Sequence, residues 1–303
     1  MVLSVKSFVP QTIVSTKRYD GIFREYPVRI HELEEQIDVE YSVPISNQTG
    51  DTGALRSFSR TFPKTLPSTQ KTFQVLGLLQ GEMSKTHNRA LTFANTEPAL
   101  INYVLDWFEQ TNLLLCTDWK WYIKINLPPQ GTEIDEQLSC ELKEHWATVT
   151  DVHWDRSYPT VLSFTPTSPR QVPVNDGCLM LEHRNSLFTQ TVQKIVKTMT
   201  WQMPRCDEQQ VIWYMQGIIA AESCINWSRQ GHRRVFITAP NLEERAIFQA
   251  CLDKCGVESV SSKPIRGLIV SGRHNLERLD ELGLMTLHPK KHKKFTAMLA
   301  SYQ

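Results

Sequence analysis

Two short segments of this sequence repeat one pattern of small, aliphatic and acidic residues, and this repeat constrains the fold more than any other feature. VLGLLQGEM spans residues 75–83 and MQGIIAAES spans residues 215–223, an offset of 140 residues. Each segment has a glycine, two aliphatic residues, a small residue and then a glutamate. We interpret both as helices, because small residues four apart fall on one helical face.

The repeat continues beyond these segments and indicates an internal duplication. Each is followed by a predicted strand, RALTFAN (89–95) or RRVFIT (233–238), and then by an amphipathic helix at an offset of 144 residues. Residues 179–188 resemble residues 268–277 at an offset of only 89, so the first copy holds about 55 extra residues, roughly 125–175. Strands and helices that alternate over short connections predict an α+β unit, with helices on one face of an antiparallel sheet.

The duplication divides the chain into three predicted parts. Residues 70–203 form the first repeat domain, which includes the insertion, and residues 204–303 form the second. Residues 1–69 carry eight basic and eight acidic residues, several prolines and the polar stretch SNQTGDTG. We interpret them as an irregular N-terminal arm, because they show little sustained helical periodicity.

Composition excludes several classes of protein. With 41% hydrophobic and 21% charged residues the chain is not disordered throughout, and no apolar run is long enough to span a bilayer, so no membrane is expected as a partner. The seven cysteines form no CxxC pair, which indicates reduced thiols and neither a disulfide framework nor a zinc site. This pattern suits a reducing compartment, such as a prokaryotic cytoplasm, a mitochondrion or a chloroplast.

The net charge of +1 hides an uneven distribution of charge. From Arg229 to the end there are 13 Lys and Arg against 7 Asp and Glu, a net of +6, and the preceding residues have a net of −5. A basic half on a near-neutral chain is compatible with a polyanionic partner, although a solvated surface gives the same pattern.

The glutamates Glu82 and Glu222 are the strongest candidates for chemistry. Each directly follows a small residue near the end of its predicted helix. Gly77 with Gly81, and Gly217 with Ala221, would let the two helices pack closely, which brings the two carboxylates together at the seam. Paired carboxylates repel each other unless divalent cations lie between them, so the pattern favours metal-assisted phosphodiester hydrolysis. The alternative is helix packing with two exposed acids at its edge.

The paired segments resemble the two signature helices of the single-chain LAGLIDADG homing endonucleases. LTFANTEPALINYVLDWF resembles that family's first strand and following helix, and LHPKKHKKF (287–295) resembles its closing segment. The resemblance covers roughly residues 70–303. It implies two pseudo-symmetric αββαββα domains whose saddle-shaped antiparallel sheets straddle a long, asymmetric double-stranded DNA site. Such a protein is a monomer that cuts both strands and leaves short 3′ overhangs.

The resemblance also implies a set of site residues. Glu82 and Glu222 would coordinate Mg²⁺, for which Mn²⁺ or Ca²⁺ is expected to substitute in binding. The carbonyls of Gly81 and Ala221 would complete the metal shell, and Lys290 matches the family's basic residue near the scissile phosphate. The sequence departs from the family at several positions. These are Gln80 and Ala220 in place of an aspartate, Met83 and Ser223 in place of a glycine, and no first-half phrase like that of Lys290 around Lys194 or Lys197.

The DNA-reading surface is predicted from alternation along the strands. Every second residue of a strand faces the groove, where long polar side chains can contact base edges or phosphates. The candidates are Arg89, Asn95, Lys120, Lys124, Arg233, Arg234, Lys263, Arg266 and Arg273. In WKWYIKI (119–125), alternation assigns the tryptophans to the core and the lysines to the open face.

Two other functions compete with a site-specific endonuclease encoded in an intron or similar mobile element. One is a non-catalytic nucleic-acid-binding protein on the same scaffold, either a splicing maturase, with intron RNA as a partner, or a transcription regulator. The other is a structural module whose repeat only builds a protein interface. Retention of an acid in both signature helices favours the nuclease over both.

Overall fold

The fold is an α+β structure in which two helix-covered sheets lie on either side of a central pair of helices. The computed structural model describes residues 3–19, 22–47, 50–84, 89–126, 136–150, 159–164, 177–228 and 231–302. Among these residues, no helix combines the length and the apolar character that crossing a bilayer requires. All seven cysteines are free thiols.

The N-terminal residues form strands. These are β1 (Leu3–Ser4), β2 (Thr12–Tyr19), β3 (Ile22–Pro27), β4 (Arg29–Glu32), β5 (Gln36–Asn47), β6 (Gly50–Pro63) and β7 (Thr65–Leu66). They pair as β1–β7, β2–β3 and β4–β5–β6. The prediction of an irregular arm is therefore wrong for the part of this segment that the structure describes.

The N-terminal strands are packed against the first repeat. Val5, Ile37 and Phe62 are buried in the core shared with it, and the Phe62 ring stacks on Phe188 at 5.9 Å between centroids. Arg60 Nη2 donates to the Leu113 carbonyl at 2.6 Å. Apolar residues alternate along β5, at Ile37, Val39 and Tyr41, which is a strand signal that a search for helical periodicity overlooks.

The first repeat contains α1 (Gln70–Glu82), β8 (Leu91–Asn95), α2 (Pro98–Gln110), β9 (Lys120–Asn126), α3 (Glu136–Val149), β10 (Thr160–Phe164), β11 (Cys178–His183) and α4 (Ser186–Gln202). Local signals explain the helix starts. The Thr69 hydroxyl accepts from the Thr72 amide, Pro98 occupies the first turn of α2, and the Asn185 side chain accepts from the Phe188 amide.

The second repeat contains α5 (Glu208–Glu222), β12 (Ser223–Trp227), β13 (Arg233–Thr238), α6 (Leu242–Lys254), β14 (Val260–Ser262), β15 (Gly267–Ser271), α7 (Arg273–Glu281) and α8 (Pro289–Ala300). Asp207 caps α5 and Asn241 caps α6 through side-chain oxygens. The order from α5 to α7 is the αββαββα unit that the family resemblance implies, with α8 added after it.

The two sheets differ at both edges. The second sheet has the order β12-β13-β15-β14 and is antiparallel throughout. The first has the order β10-β9-β11-β8, and β10 pairs with β9 in parallel. Among the described residues no first-repeat strand takes the place of β12; a single Ser84–Thr92 backbone bond of 3.4 Å is found there. The insertion supplies β10 at the opposite edge, which corrects the expectation of a purely antiparallel first sheet.

Alternation along the strands sets an inner and an open face in each sheet. Trp121 and Ile123 of β9 are buried, as are Val235 and Ile237 of β13. The residues that alternate with them, such as Lys120 and Lys124, face away from the helices. The predicted core assignment of the WKWYIKI tryptophans is confirmed by their burial.

Candidate active site at the helix seam

Helices α1 and α5 cross with their backbones in contact at two glycines. A Cβ added at Gly217 would lie 2.1 Å from the Gln74 carbonyl oxygen and 2.9 Å from the Gly77 Cα. A Cβ added at Gly77 would lie 2.3 Å from the Tyr214 carbonyl oxygen. No side chain fits at either position without separating the helices, so glycine is required for this crossing.

The crossing brings the ends of both helices together. Glu82 is the last residue of α1 and Glu222 is the last residue of α5. A Cβ at Gly81 would lie 2.4 Å from the Ala221 Cβ and 3.4 Å from Glu222 Oε1, so the Glu222 carboxylate lies against the end of the other helix. The structure thus unites all six residues proposed for the seam and the metal shell: Gly77, Gly81, Glu82, Gly217, Ala221 and Glu222.

The Glu222 charge perturbs the Glu82 carboxyl group. The pKa of Glu82 is raised to about 7, first by burial and second by the charge of the nearby Glu222. Lys291 acts in the opposite direction and lowers this pKa. A carboxyl group that holds its proton near neutral pH beside a second carboxylate marks a site short of positive charge.

Asn95 contacts Glu82 directly. Its Nδ2 donates to Glu82 Oε1 at 3.1 Å, and its Oδ1 accepts from the Glu97 amide at 2.8 Å. Asn95 is only 7% exposed at the inner end of β8. The prediction that it reads bases on the open face is therefore wrong, because alternation along β8 places it on the buried side.

Lys291 and not Lys290 is the lysine beside the two acids. The Lys291 ammonium donates to the Ala220 carbonyl at 2.6 Å and to the Ala221 carbonyl at 3.2 Å. Lys290 pairs with Glu97 at 3.3 Å, and its side chain is 74% exposed. The prediction that Lys290 lies at the site is therefore corrected, because the next residue, Lys291, takes that place.

Helical periodicity explains why Lys291 points inward. Helix α8 begins at Pro289 with His288 as its N-cap, whose ring accepts from the Lys291 amide. Phe295 and Met298 are buried, and Lys291 precedes them by four and seven residues, on the same helical stripe. This periodicity is the signal that identifies Lys291; matching the His-Pro-Lys phrase selects the neighbouring lysine instead.

Burial also lowers the pKa values of two basic groups near the seam, Lys291 and His288. The pKa of Lys291 is lowered to about 8 by burial, against the opposing effect of Glu82 and Glu222. The pKa of His288 is lowered to about 4, first by burial and then by Lys291, so His288 is neutral at physiological pH and can accept a hydrogen bond.

Gln80 occupies the position where the family resemblance leads one to expect aspartate. Its Nε2 donates to Glu244 Oε1 of α6 at 3.0 Å, and its Oε1 accepts from Thr200 Oγ1 of α4 at 3.2 Å. Gln80 is buried, so an amide that both donates and accepts satisfies two partners from opposite halves, which a carboxylate cannot do. The departure has a structural explanation.

The donors at the seam suit a hard divalent cation. Carboxylates and backbone carbonyls are the ligands that Mg²⁺ and Ca²⁺ prefer. Gly81, Glu222 and Glu244 line a cavity of about 390 Å³ beside the seam, large enough for a cation that keeps several waters, and Glu82 lies outside its lining. Within the described residues no group of three or more His, Cys, Asp or Glu side chains converges, so the fit rests on two carboxylates and on carbonyls.

The predicted DNA-contacting residues fall into two sets. Lys120, Lys124 and Arg234 lie on the open sheet faces, and Arg89, Lys263 and Arg266 are exposed in loops. Arg266 has a φ of 50° in the turn between β14 and β15, so its prediction as a strand residue is wrong.

Arg233 and Arg273 lie on the helix side of the second sheet. Arg233 donates to Ser301, and both guanidinium groups lie over the Tyr302 ring, at 4.4 and 5.9 Å from its centroid. Neither faces the groove of the sheet, which corrects their assignment as DNA contacts.

Comparisons with known proteins give similarity at the level of structure. The N-terminal LAGLIDADG domain of DUF199/WhiA matches with a TM-score of 0.38 and 11% identity over 74% of this chain and 88% of that one. A mesophilic variant of the homing endonuclease I-DmoI gives 0.39 and 13%, over 71% and 96% of the two chains. I-DmoI in complex with DNA and Mn gives 0.38 and 12%, over 71% and 97%. No family model and no curated protein matches the sequence.

Proposed function

We propose that this protein is a LAGLIDADG-type endonuclease that binds a long, asymmetric double-stranded DNA site and hydrolyses both strands with divalent metal. The observation that carries the proposal is the meeting of Glu82 and Glu222 at the end of a glycine-lined helix crossing. A crossing this close would put one carboxylate from each repeat near the pseudo-dyad that the family resemblance implies, as cutting two strands requires.

The chain's own residues take distinct parts in this reaction. Glu82 and Glu222 would hold the cation, and Asn95 orients the Glu82 carboxylate. Lys291 places its ammonium beside both acids, where it can act on the charge that develops at a phosphate. Mg²⁺ held there would supply an activated water and neutralise the leaving oxygen. Mn²⁺ or Ca²⁺ is expected to replace it in binding.

The open sheet faces provide the DNA-binding surface in this proposal. Lys120 and Lys124 lie on the face of the first sheet and Arg234 on the face of the second. Arg89, Lys263 and Arg266 extend these faces at exposed loops. Basic side chains at these places would neutralise phosphates and read bases on either side of the seam. A single chain with both acids needs no second copy, so we expect a monomer.

Selection from a randomised DNA library tests this proposal and identifies the target sequence in the same experiment. The protein is incubated with duplexes and Mg²⁺, and newly formed ends are captured and sequenced. We expect ends with short 3′ overhangs that define one asymmetric sequence, and none from a Glu82→Gln, Glu222→Gln double variant. Specific binding without new ends would instead indicate the non-catalytic alternative, a maturase or a transcription regulator.

A further inference from the structure

The ammonium of Lys291 occupies the carboxyl end of α5. It donates to three consecutive carbonyls, those of Ile219, Ala220 and Ala221, at 3.4, 2.6 and 3.2 Å. These are terminal carbonyls of the helix, which carry partial negative charge, and the Ile219 carbonyl also accepts from the Ser223 amide. Lys291 thus acts as a cation bound to the end of the helix.

The same carbonyls lie at the second-repeat end of the proposed metal site. Ala221 directly precedes Glu222, so a cation held by the Glu222 carboxylate and the Ala221 carbonyl would lie close to this ammonium. The end of α1 differs, since Glu82 there accepts from the neutral amide of Asn95. A divalent cation would therefore meet a lysine ammonium at the end of α5 and a neutral amide at the end of α1.

We propose that Lys291 is a resident competitor of the divalent cation at the end of α5, so that metal binding there requires its ammonium to leave the carbonyls of Ala220 and Ala221. The inference rests on the proposed metal site and extends it. Without metal, Lys291 compensates the charge of the two acids and of the helix end. With metal, the freed ammonium is available to a phosphate.

Binding of Mn²⁺ to the DNA-free protein, followed by electron paramagnetic resonance of the free ion, tests the competition. Lys291→Met should bind Mn²⁺ roughly tenfold more tightly than the unmodified protein, because the cation no longer displaces charge-assisted hydrogen bonds. Lys290→Met is the matched control: it removes an equal charge one residue away, on a side chain bound to Glu97. Its Mn²⁺ affinity should change much less.

Glu222→Gln separates failure of this inference from failure of the proposed function. If Glu222→Gln weakens Mn²⁺ binding and Lys291→Met does not strengthen it beyond Lys290→Met, the competition is wrong and the metal site stands. If neither Glu222→Gln nor Lys291→Met changes Mn²⁺ binding, the metal site itself is wrong.

Amine acylation of the unmodified protein, read by mass spectrometry, gives a second measurement that needs no variant to fold. Without metal, Lys291 should react slowly, because its ammonium is partly buried on the carbonyls. Saturating Ca²⁺ should raise its acylation rate severalfold relative to that of Lys290. An unchanged or lower rate for Lys291 would contradict displacement.

Discussion

Arg233 and Arg234 are neighbours in β13 whose side chains lie on opposite faces of the second sheet. Arg233 donates to Ser301 Oγ at 2.8 Å and to the Ser301 carbonyl at 2.6 Å, and its guanidinium lies over the Tyr302 ring. Arg234 alternates with the buried Val235 and faces the open side. The same strand therefore holds one arginine that anchors the C-terminal end and one that is available to DNA.

Alanine substitutions at these two arginines should separate stability from binding. Arg233→Ala should lower the free energy of unfolding by about 1–3 kcal/mol, because partly buried hydrogen bonds are lost. Arg234→Ala should leave stability within about 0.5 kcal/mol but reduce the log–log salt slope of DNA binding by about 0.9, one phosphate contact. Urea denaturation and salt-dependent binding measure both; the reverse pattern would contradict the assignment.

Widening the helix crossing should destabilise the protein and abolish cleavage together. Gly217→Val puts side-chain atoms where the Gln74 carbonyl lies, so we expect a loss of about 3 kcal/mol or more. Gln209→Val is the control, since it places valine on an exposed position of the same helix. Thermal unfolding compares them. Equal melting temperatures for the two variants would mean that the backbones do not touch at Gly217.

The pKa of Glu82 predicts a stability profile. The pKa of Glu82 is about 7 in the folded chain and about 4.3 in an unfolded one. Between these two pH values the folded protein therefore keeps a proton on Glu82 that the unfolded protein has lost. The contribution of Glu82 to the stability of the metal-free protein should therefore fall as pH rises through this window, against an opposite slope from His288, whose pKa is lowered to about 4. Glu82→Gln should remove the Glu82 contribution, so the variant should gain stability relative to the unmodified protein as pH rises, by roughly 1–3 kcal/mol at pH 8. Parallel stability curves for the two proteins would contradict this.

Asn95 should act through Glu82 and not through bases. Asn95→Asp keeps an acceptor for the Glu97 amide but loses the donor to Glu82 and adds a negative charge beside it. We expect the variant to fold, to keep its base preference, and to lose about 10–100-fold in metal affinity or cleavage, as outer-shell partners of a metal site do. If Asn95→Asp instead changes the base preference at one base pair and cleaves normally, Asn95 contacts DNA and does not act through Glu82.

Sequence reasoning finds the features that depend on local pattern. The glycine spacing in VLGLLQGEM and MQGIIAAES predicts the helix crossing, and alternation in WKWYIKI predicts its buried face. It fails where the answer depends on packing between distant segments. Ile37, Val39 and Tyr41 alternate along β5 and mark it as a strand, but its packing on the first repeat joins segments distant in sequence. β10 pairs in parallel at the sheet edge opposite the one where the described residues hold no counterpart of β12. Lys291 escapes a phrase match and is found only through the helical stripe that it shares with Phe295.

Strand-resolved cleavage of the selected DNA site by Glu222→Gln and Glu208→Gln tests the account most directly. Both residues are glutamates of α5, one at each end, and Glu208 lies at the exposed start, 3.8 Å from Arg278. Glu222→Gln should lose more than the roughly 100-fold that removal of an outer-shell group costs, with DNA affinity nearly unchanged. Glu208→Gln should cut both strands at the normal rate. Normal cleavage of both strands by Glu222→Gln would contradict a reaction at the helix seam.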